Sequence, residues 1–187
     1  MVKQIIFSDS IFISEITDNK IEEKINYILN QNKTREKQNI RSNVNGDQIQ
    51  FKDTYLSNIF TNKAVQILTG NYNLKKGFSL TMGNMWINLN PQKSYNSAHT
   101  HPQSNFSGCF YINPSNDGGD LVFLRNDKCV SFTDNDSFFE GSDFNDVFTI
   151  KPKKNLFVLF SSHLTHLVTP QFSSEDRVSI SFNFSIK

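Results

Sequence analysis

The rhythm of hydrophobic and polar positions changes near Gly70. Before it, apolar residues recur every three or four positions. In residues 17–30 (TDNKIEEKINYILN), Ile21, Ile25 and Ile28 fall on one face, and Asp18 stands where an N-cap belongs. In residues 53–69 (DTYLSNIFTNKAVQILT), Leu56, Phe60, Ala64 and Ile67 form a second stripe, with Gly70 as a natural stop. Two amphipathic helices are therefore predicted. Residues 4–15 (QIIFSDSIFISE) read as a strand broken by a turn. Residues 31–50 are mostly polar and aperiodic, so they read as a long loop.

After Gly70 the period falls to two. FSLTMGNMWINLN, SNFSGCFYINP, GDLVFLRN, VFTIKPK, NLFVLFSS, LTHLVTP and RVSISFNFSIK are strand-like and separated by Asn, Gly, Pro, Asp and Ser. Helices followed by many short strands predict an α+β domain, a double-stranded β-helix (jelly roll) buttressed by N-terminal helices. One domain spans 1–187: an N-terminal strand and supporting helices over 1–70, and the jelly-roll core over 71–187. Residues 133–146 (TDNDSFFEGSDFND) read as a long hairpin loop or lid.

Alternation also sorts side chains by face. Arg177, Ser179, Ser181 and Asn183 share one side of the last strand, and Val178, Ile180, Phe182 and Phe184 the other. The apolar side needs a cover, for which the helices are available. Similarly, Asn84, Trp86 and Asn88 oppose Met85, Ile87 and Leu89, while Asn105, Ser107, Cys109 and Tyr111 oppose Phe106, Phe110 and Ile112. Trp86, Asn88 and Ser107 are thus candidates for a pocket wall, although a solvent-facing sheet would show the same pattern.

Composition narrows the class. The 187 residues include 18 Phe, against 5 Tyr and 1 Trp, in keeping with a strand-rich core. A net charge of +1 with no basic stripe argues against nucleic acid as a partner. Cys109 and Cys129 are too few for a disulfide framework and read as buried thiols in a reducing compartment. The N-terminus is too short and interrupted for a signal peptide, and no run reaches the roughly 18 apolar residues of a membrane span. The expectation is a soluble, cytoplasmic protein; nothing in the sequence speaks to its oligomeric state.

The 4 histidines fall in two clusters, His99-Thr-His101 and His163-Leu-Thr-His166. Residues i and i+2 of an extended segment point the same way, so His99 and His101 can converge on one ion. Imidazole suits iron, zinc, copper and nickel. His166 is the candidate third ligand. A chance cluster on a polar surface is the alternative. Arg177, followed two residues later by Ser179, offers a bidentate cation and a hydroxyl, a pair suited to a carboxylate.

MWINLNPQKSYNSAHTHPQSNFSGCFYINP, then GGDLVF, then LFVLFSSHLTHLVTP followed by RVSISFN, resembles the Fe(II)/2-oxoglutarate oxygenases common in marine bacteria and their phages, of the prolyl-hydroxylase-like superfamily. RSNVNGD is similar to that family's segment before its second helix. The resemblance covers roughly residues 40–187. It implies Fe(II) with 2-oxoglutarate and O2 as co-substrates. It makes His99 the first metal ligand, His166 the distal one, Arg177 with Ser179 the co-substrate anchor, and Tyr111 a second 2-oxoglutarate contact. The superfamily usually has an Asp where this chain has His101. Three histidines then form the centre, or a carboxylate such as Asp120 completes it and His101 orients a ligand. The implied activity is hydroxylation of a small molecule or a protein side chain. Two rivals stay open: a cupin-like three-histidine metalloenzyme that does not use 2-oxoglutarate, and a non-enzymatic jelly-roll binding or structural phage protein.

Overall fold

A computed structural model of the chain describes residues 9–33, 42–125 and 147–187. Two helices precede most of the strands. α1 spans Asn19–Gln31 and α2 spans Thr54–Asn71. Their caps also tie them to each other. Asp18 accepts the Lys20 N–H at the start of α1, and its other oxygen accepts the Tyr55 hydroxyl of α2 at 2.7 Å. Asp53 accepts the Leu56 N–H at the start of α2, and its other oxygen pairs with Lys24 of α1 at 2.9 Å. Each acid satisfies orphan donors of one helix and fixes the approach of the other.

The strands are β1 (Ile11–Glu15), β2 (Asn43–Val44), β3 (Asp47–Gln50), β4 (Leu80–Asn90), β5 (Tyr95–His99), β6 (Phe106–Asn113), β7 (Leu121–Leu124), β8 (Val147–Ile150), β9 (Leu156–Ser161), β10 (His166–Val168) and β11 (Arg177–Ile186). They form a six-stranded sheet, β1-β9-β6-β11-β4-β3, and a five-stranded sheet, β2-β5-β10-β7-β8. The ladders are antiparallel, and the two sheets with their supporting helices make the expected α+β jelly roll.

The expected partition of β11 is what the structure shows. Ile180, Phe182 and Phe184 join the core beneath the helices, with Leu56, Phe60, Ala64 and Leu68 of α2. Phe60 sits at its centre, with ring centroids 5.0 Å from Phe182, 5.5 Å from Phe110 and 6.1 Å from Phe157. At Gly108 the backbone passes so close to the Val158 carbonyl and the Phe182 ring that a Cβ would strike both. A second apolar cluster, including Leu121, Phe123, Val158 and Phe160, lies on the opposite side of the six-stranded sheet.

Some expectations need correcting. Residues 31–50 are not one loop, because 43–44 and 47–50 pair with β5 and β4. Gly70 does not stop α2, which runs to Asn71 and closes with the Tyr72 N–H bonded to the Leu68 carbonyl. Leu68, rather than Ile67, completes its buried stripe. β5 was not among the expected strands. Residues 4–8 of the first expected strand, the 133–146 segment and Cys129 lie outside the described residues; Cys109 is a buried free thiol. Among the described residues, no helix is long and apolar enough to cross a membrane.

Candidate metal centre

His99 is the last residue of β5, and His166 the first of β10. They are register partners. His101 lies two residues past the end of β5, where its N–H donates to the Ser162 carbonyl at 2.9 Å. The ligand-capable atoms of the three histidines all lie within 4.8 Å of one another. Ring centroids are 4.4 Å apart for His99 and His166, and 5.1 Å for His101 with either.

Hydrogen bonds settle which nitrogens are free. The Nδ1 of His99 is 2.7 Å from the Ser97 carbonyl, and the Nδ1 of His166 is 2.9 Å from the Leu164 carbonyl. A carbonyl only accepts, so each Nδ1 carries the proton and each neutral ring keeps its lone pair on Nε2. His101 turns its Nε2 to within 3.3 Å of the Nε2 of His166.

Burial holds these rings neutral. It pushes His166 down to about 3, helped by His99 and His101, and His101 down to about 4, again helped by His99. His99 is lowered by burial as well, partly offset by its bond to Ser97. Three neutral imidazoles converging on one point, with at least two of their Nε2 atoms unprotonated, fit a divalent transition metal. No carboxylate belongs to the group among the described residues. Asp120, the carboxylate offered as an alternative, is not in the cluster. His163 is exposed, 2.9 Å from Asp9.

The histidines open onto a cavity of about 260 Å³ between the sheets. Its wall includes Trp86, Asn88, Tyr111, Arg177 and Ser179, all expected from the sequence. Ser107 does not line it. That side chain is buried at 2.7 Å from both Ser162 and Asn183, so it supports the wall residue Asn183 from behind. Asn88 gathers a network: its Oδ1 accepts from Trp86 Nε1 at 3.1 Å and Gln48 Nε2 at 2.9 Å, and its Nδ2 donates to Ser181 at 2.9 Å. Leu121, Phe160 and Val168 add an apolar side.

Arg177 is 3% exposed. Its Nη2 donates to Asn90 Oδ1 at 2.8 Å, while its Nε is buried without a partner. Burial lowers its pKa, opposed by Tyr111 and Cys109. Those two neighbours bring no counter-charge at neutral pH, because burial raises Tyr111 well above its usual value and Cys109 to about 11. A buried cation with an unused donor fits an incoming carboxylate. The sequence did not announce Asn90, Gln48 or Phe160. Alternation along β9 would have exposed Phe160, but nothing local marks Asn90 or Gln48.

No curated protein sequence matches the chain. Solved structures share its fold at low identity. A prolyl-4-hydroxylase from Pseudomonas putida aligns with a TM-score of 0.66 at 13% identity, over 95% of this chain and 93% of that one. A viral collagen prolyl hydroxylase from Paramecium bursaria Chlorella virus-1 gives 0.62 at 13%, over 95% and 96%. A prolyl hydroxylase from Trichoplax adhaerens, in complex with a hypoxia inducible factor peptide fragment, gives 0.63 at 15%, over 94% and 83%. The family described as "Putative 2OG-Fe(II) oxygenase" matches residues 84–183, which carry all three clustered histidines and Arg177. The match takes in more than half of the sequence, and the chain belongs to this 2OG-Fe(II) oxygenase family.

Proposed function

We propose that His99, His101 and His166 hold Fe(II) in this 2-oxoglutarate-dependent dioxygenase, and that Arg177, Ser179 and Tyr111 receive the co-substrate. One observation carries the reading: a convergent set of neutral imidazoles shares a cavity with a buried arginine whose Nε is unused. When bound, iron supplies the chemistry by which O2 and 2-oxoglutarate become succinate and CO2 while a substrate C–H gains oxygen.

The chain's own residues do the positioning. The carbonyls of Ser97 and Leu164 fix the orientation of His99 and His166, so no rotation is needed at binding. Arg177 supplies a charge-assisted contact for the distal carboxylate, with the Ser179 hydroxyl beside it. Trp86 and Asn88 form the wall beyond His101, whose ring lies 5.9 Å from the indole. Phe160, Leu121 and Val168 exclude water on the other side.

We take the substrate to be a small molecule or a protein side chain. The prolyl hydroxylases of similar fold make a prolyl residue the first candidate, by analogy of fold alone. The whole chain is taken as one catalytic domain that acts in the cytoplasm without nucleic acid or membrane. The order of its motifs supports a marine bacterial or phage source.

The test is succinate release from 2-oxoglutarate with Fe(II), ascorbate and O2, for the native protein and His166→Ala. Metal-dependent release that is lost in the variant is expected. Metal binding indifferent to 2-oxoglutarate and to Arg177 replacement would favour the cupin-like alternative. Absence of both metal and 2-oxoglutarate binding would favour a non-enzymatic module.

A further inference from the structure

Arg177 is held by a neutral partner. Asn90 faces it directly across the β11–β4 ladder and is fully buried. A guanidinium has only donors, so Asn90 must turn its Oδ1 toward Nη2. Its Nδ2 then donates to Asn43 Oδ1 at 2.9 Å, which leaves the buried Asn43 Nδ2 without a partner. The backbone carbonyl of Asn90 accepts from Gln171 Nε2 at 2.9 Å, and Gln171 is itself buried with Ser115 on its Oε1 at 3.1 Å.

Close packing reinforces this chain of amides. A Cβ on Gly46 would collide with the amide of Asn43 and come within 2.6 Å of Asn90 Nδ2. A Cβ on Gly119 would lie 3.1 Å from Arg177 Cδ. Asn90 is therefore fixed on both sides, and it fixes Arg177 in turn.

A buried arginine is ordinarily neutralised by a carboxylate. Here the fixed acceptor is an amide, and among the described residues no acid pairs with Arg177. The amide orients the guanidinium without cancelling its charge. We propose that Asn90 is a positioning residue that sets co-substrate specificity: it holds Arg177 in place, leaves the full positive charge for a distal carboxylate, and so makes the site select dicarboxylic over monocarboxylic 2-oxoacids. The inference rests on the reading of Arg177 as the co-substrate anchor.

The experiment is anaerobic calorimetric titration of the Fe(II)-loaded protein with 2-oxoglutarate and with 2-oxopentanoate, which carries a methyl group in place of the distal carboxylate. The native protein is expected to prefer 2-oxoglutarate by at least about 30-fold, the scale of a charge-assisted contact. Asn90→Asp keeps the size and the acceptor but neutralises the arginine, and the idle Asn43 amide can turn to meet the new oxygen. The preference should shrink to within about threefold, with the 2-oxopentanoate affinity little changed. Asn90→Ala, read in the same way, keeps the charge but frees the guanidinium, so it should weaken 2-oxoglutarate by about tenfold and leave 2-oxopentanoate alone. This second variant decides the question if the first does not fold.

A merely structural role would weaken both ligands equally, and that result overturns the inference. Arg177→Met separates the two levels. If it abolishes the preference while both Asn90 variants retain it, only the role of Asn90 falls. If Arg177→Met also retains the preference, the anchor reading falls and takes this inference with it.

Discussion

His99 and His166 face each other across the β5–β10 ladder, and each ties its Nδ1 to the carbonyl two residues before it. Both rings are thereby fixed with the proton on Nδ1 and the lone pair on Nε2. His101 has no such tether; its Nε2 lies 3.3 Å from the Nε2 of His166. Alanine at position 99 or 166 should abolish stoichiometric Fe(II) binding, and His101→Ala should weaken it by at least about 10-fold. His101→Asp restores the superfamily's usual carboxylate and should retain the metal. Metal analysis and titration of the purified variants decide this, and undiminished binding in His101→Ala would remove that residue from the centre.

The lowered pKa values of the metal-free protein have a definite sign. His101 and His166 titrate near 4 and 3 when folded, below the 6.5 of a free imidazole. Between those values the unfolded chain binds more protons, so stability is complete above about pH 6.5 and is lost as pH falls through about 4 for His101 and about 3 for His166. Each histidine should contribute a slope of up to about 1.4 kcal/mol per pH unit in that window. Urea unfolding of the metal-free protein at pH 7.0, 6.0 and 5.0 measures it. His166→Asn should flatten the dependence.

Gly119 has a φ of +75° and backs the Arg177 side chain. Gly119→Ala adds left-handed strain of about 1–2 kcal/mol and presses on Cδ of the anchor. The Kd for 2-oxoglutarate should rise severalfold while Fe(II) binding is unchanged. Equal loss of both would mean that the loop supports the whole cavity rather than the arginine.

Phe60 bridges α2 and the six-stranded sheet through three phenylalanine rings. Phe60→Ala should cost about 3–5 kcal/mol, as for other fully buried aromatic truncations. The urea midpoint should drop accordingly. A loss under about 1 kcal/mol would imply that the helices are not the principal cover of this sheet.

What the sequence made legible follows from where side chains alone carry the pattern. In β11, Ile180, Phe182 and Phe184 alternate with Ser179, Ser181 and Asn183, so both the core face and the cavity face could be read directly. Tyr95–His99 has no apolar alternation because that strand is exposed over much of its length, and it escaped notice. The 43–44 and 47–50 strands were hidden in the same way, since Asn43, Asp47 and Gln48 are buried polar residues; Gln48 bonds across its ladder to Asn88, and Asn43 bonds to Asn90 of the other sheet. Gly70 in α2 costs up to about 1 kcal/mol of helix propensity, which the anchoring of Leu68 below it outweighs. Asn90 is one asparagine among several, and only the fold shows that an arginine sits opposite. For the metal cluster, spacing paired His99 with His101 and made His166 a candidate, and the family resemblance marked His99 and His166 as ligands. The standing of His101 needed coordinates, because spacing cannot tell a convergent third ring from a neighbour.

The histidines stand on or beside the five-stranded sheet, and Arg177 stands on the six-stranded one. A dicarboxylate that reaches from metal to guanidinium is thus a rivet through both layers of the sandwich. Its grip would register as mechanical as well as chemical, slowing amide hydrogen exchange in β10 and β11 together although no ladder joins those strands. Turnover cuts that rivet shorter. C1 would leave as CO2 and the keto carbon become a carboxylate, so succinate keeps the end meant for Arg177 but is one carbon shorter and no longer a 2-oxoacid, and each catalytic cycle would clamp the layers and then loosen them.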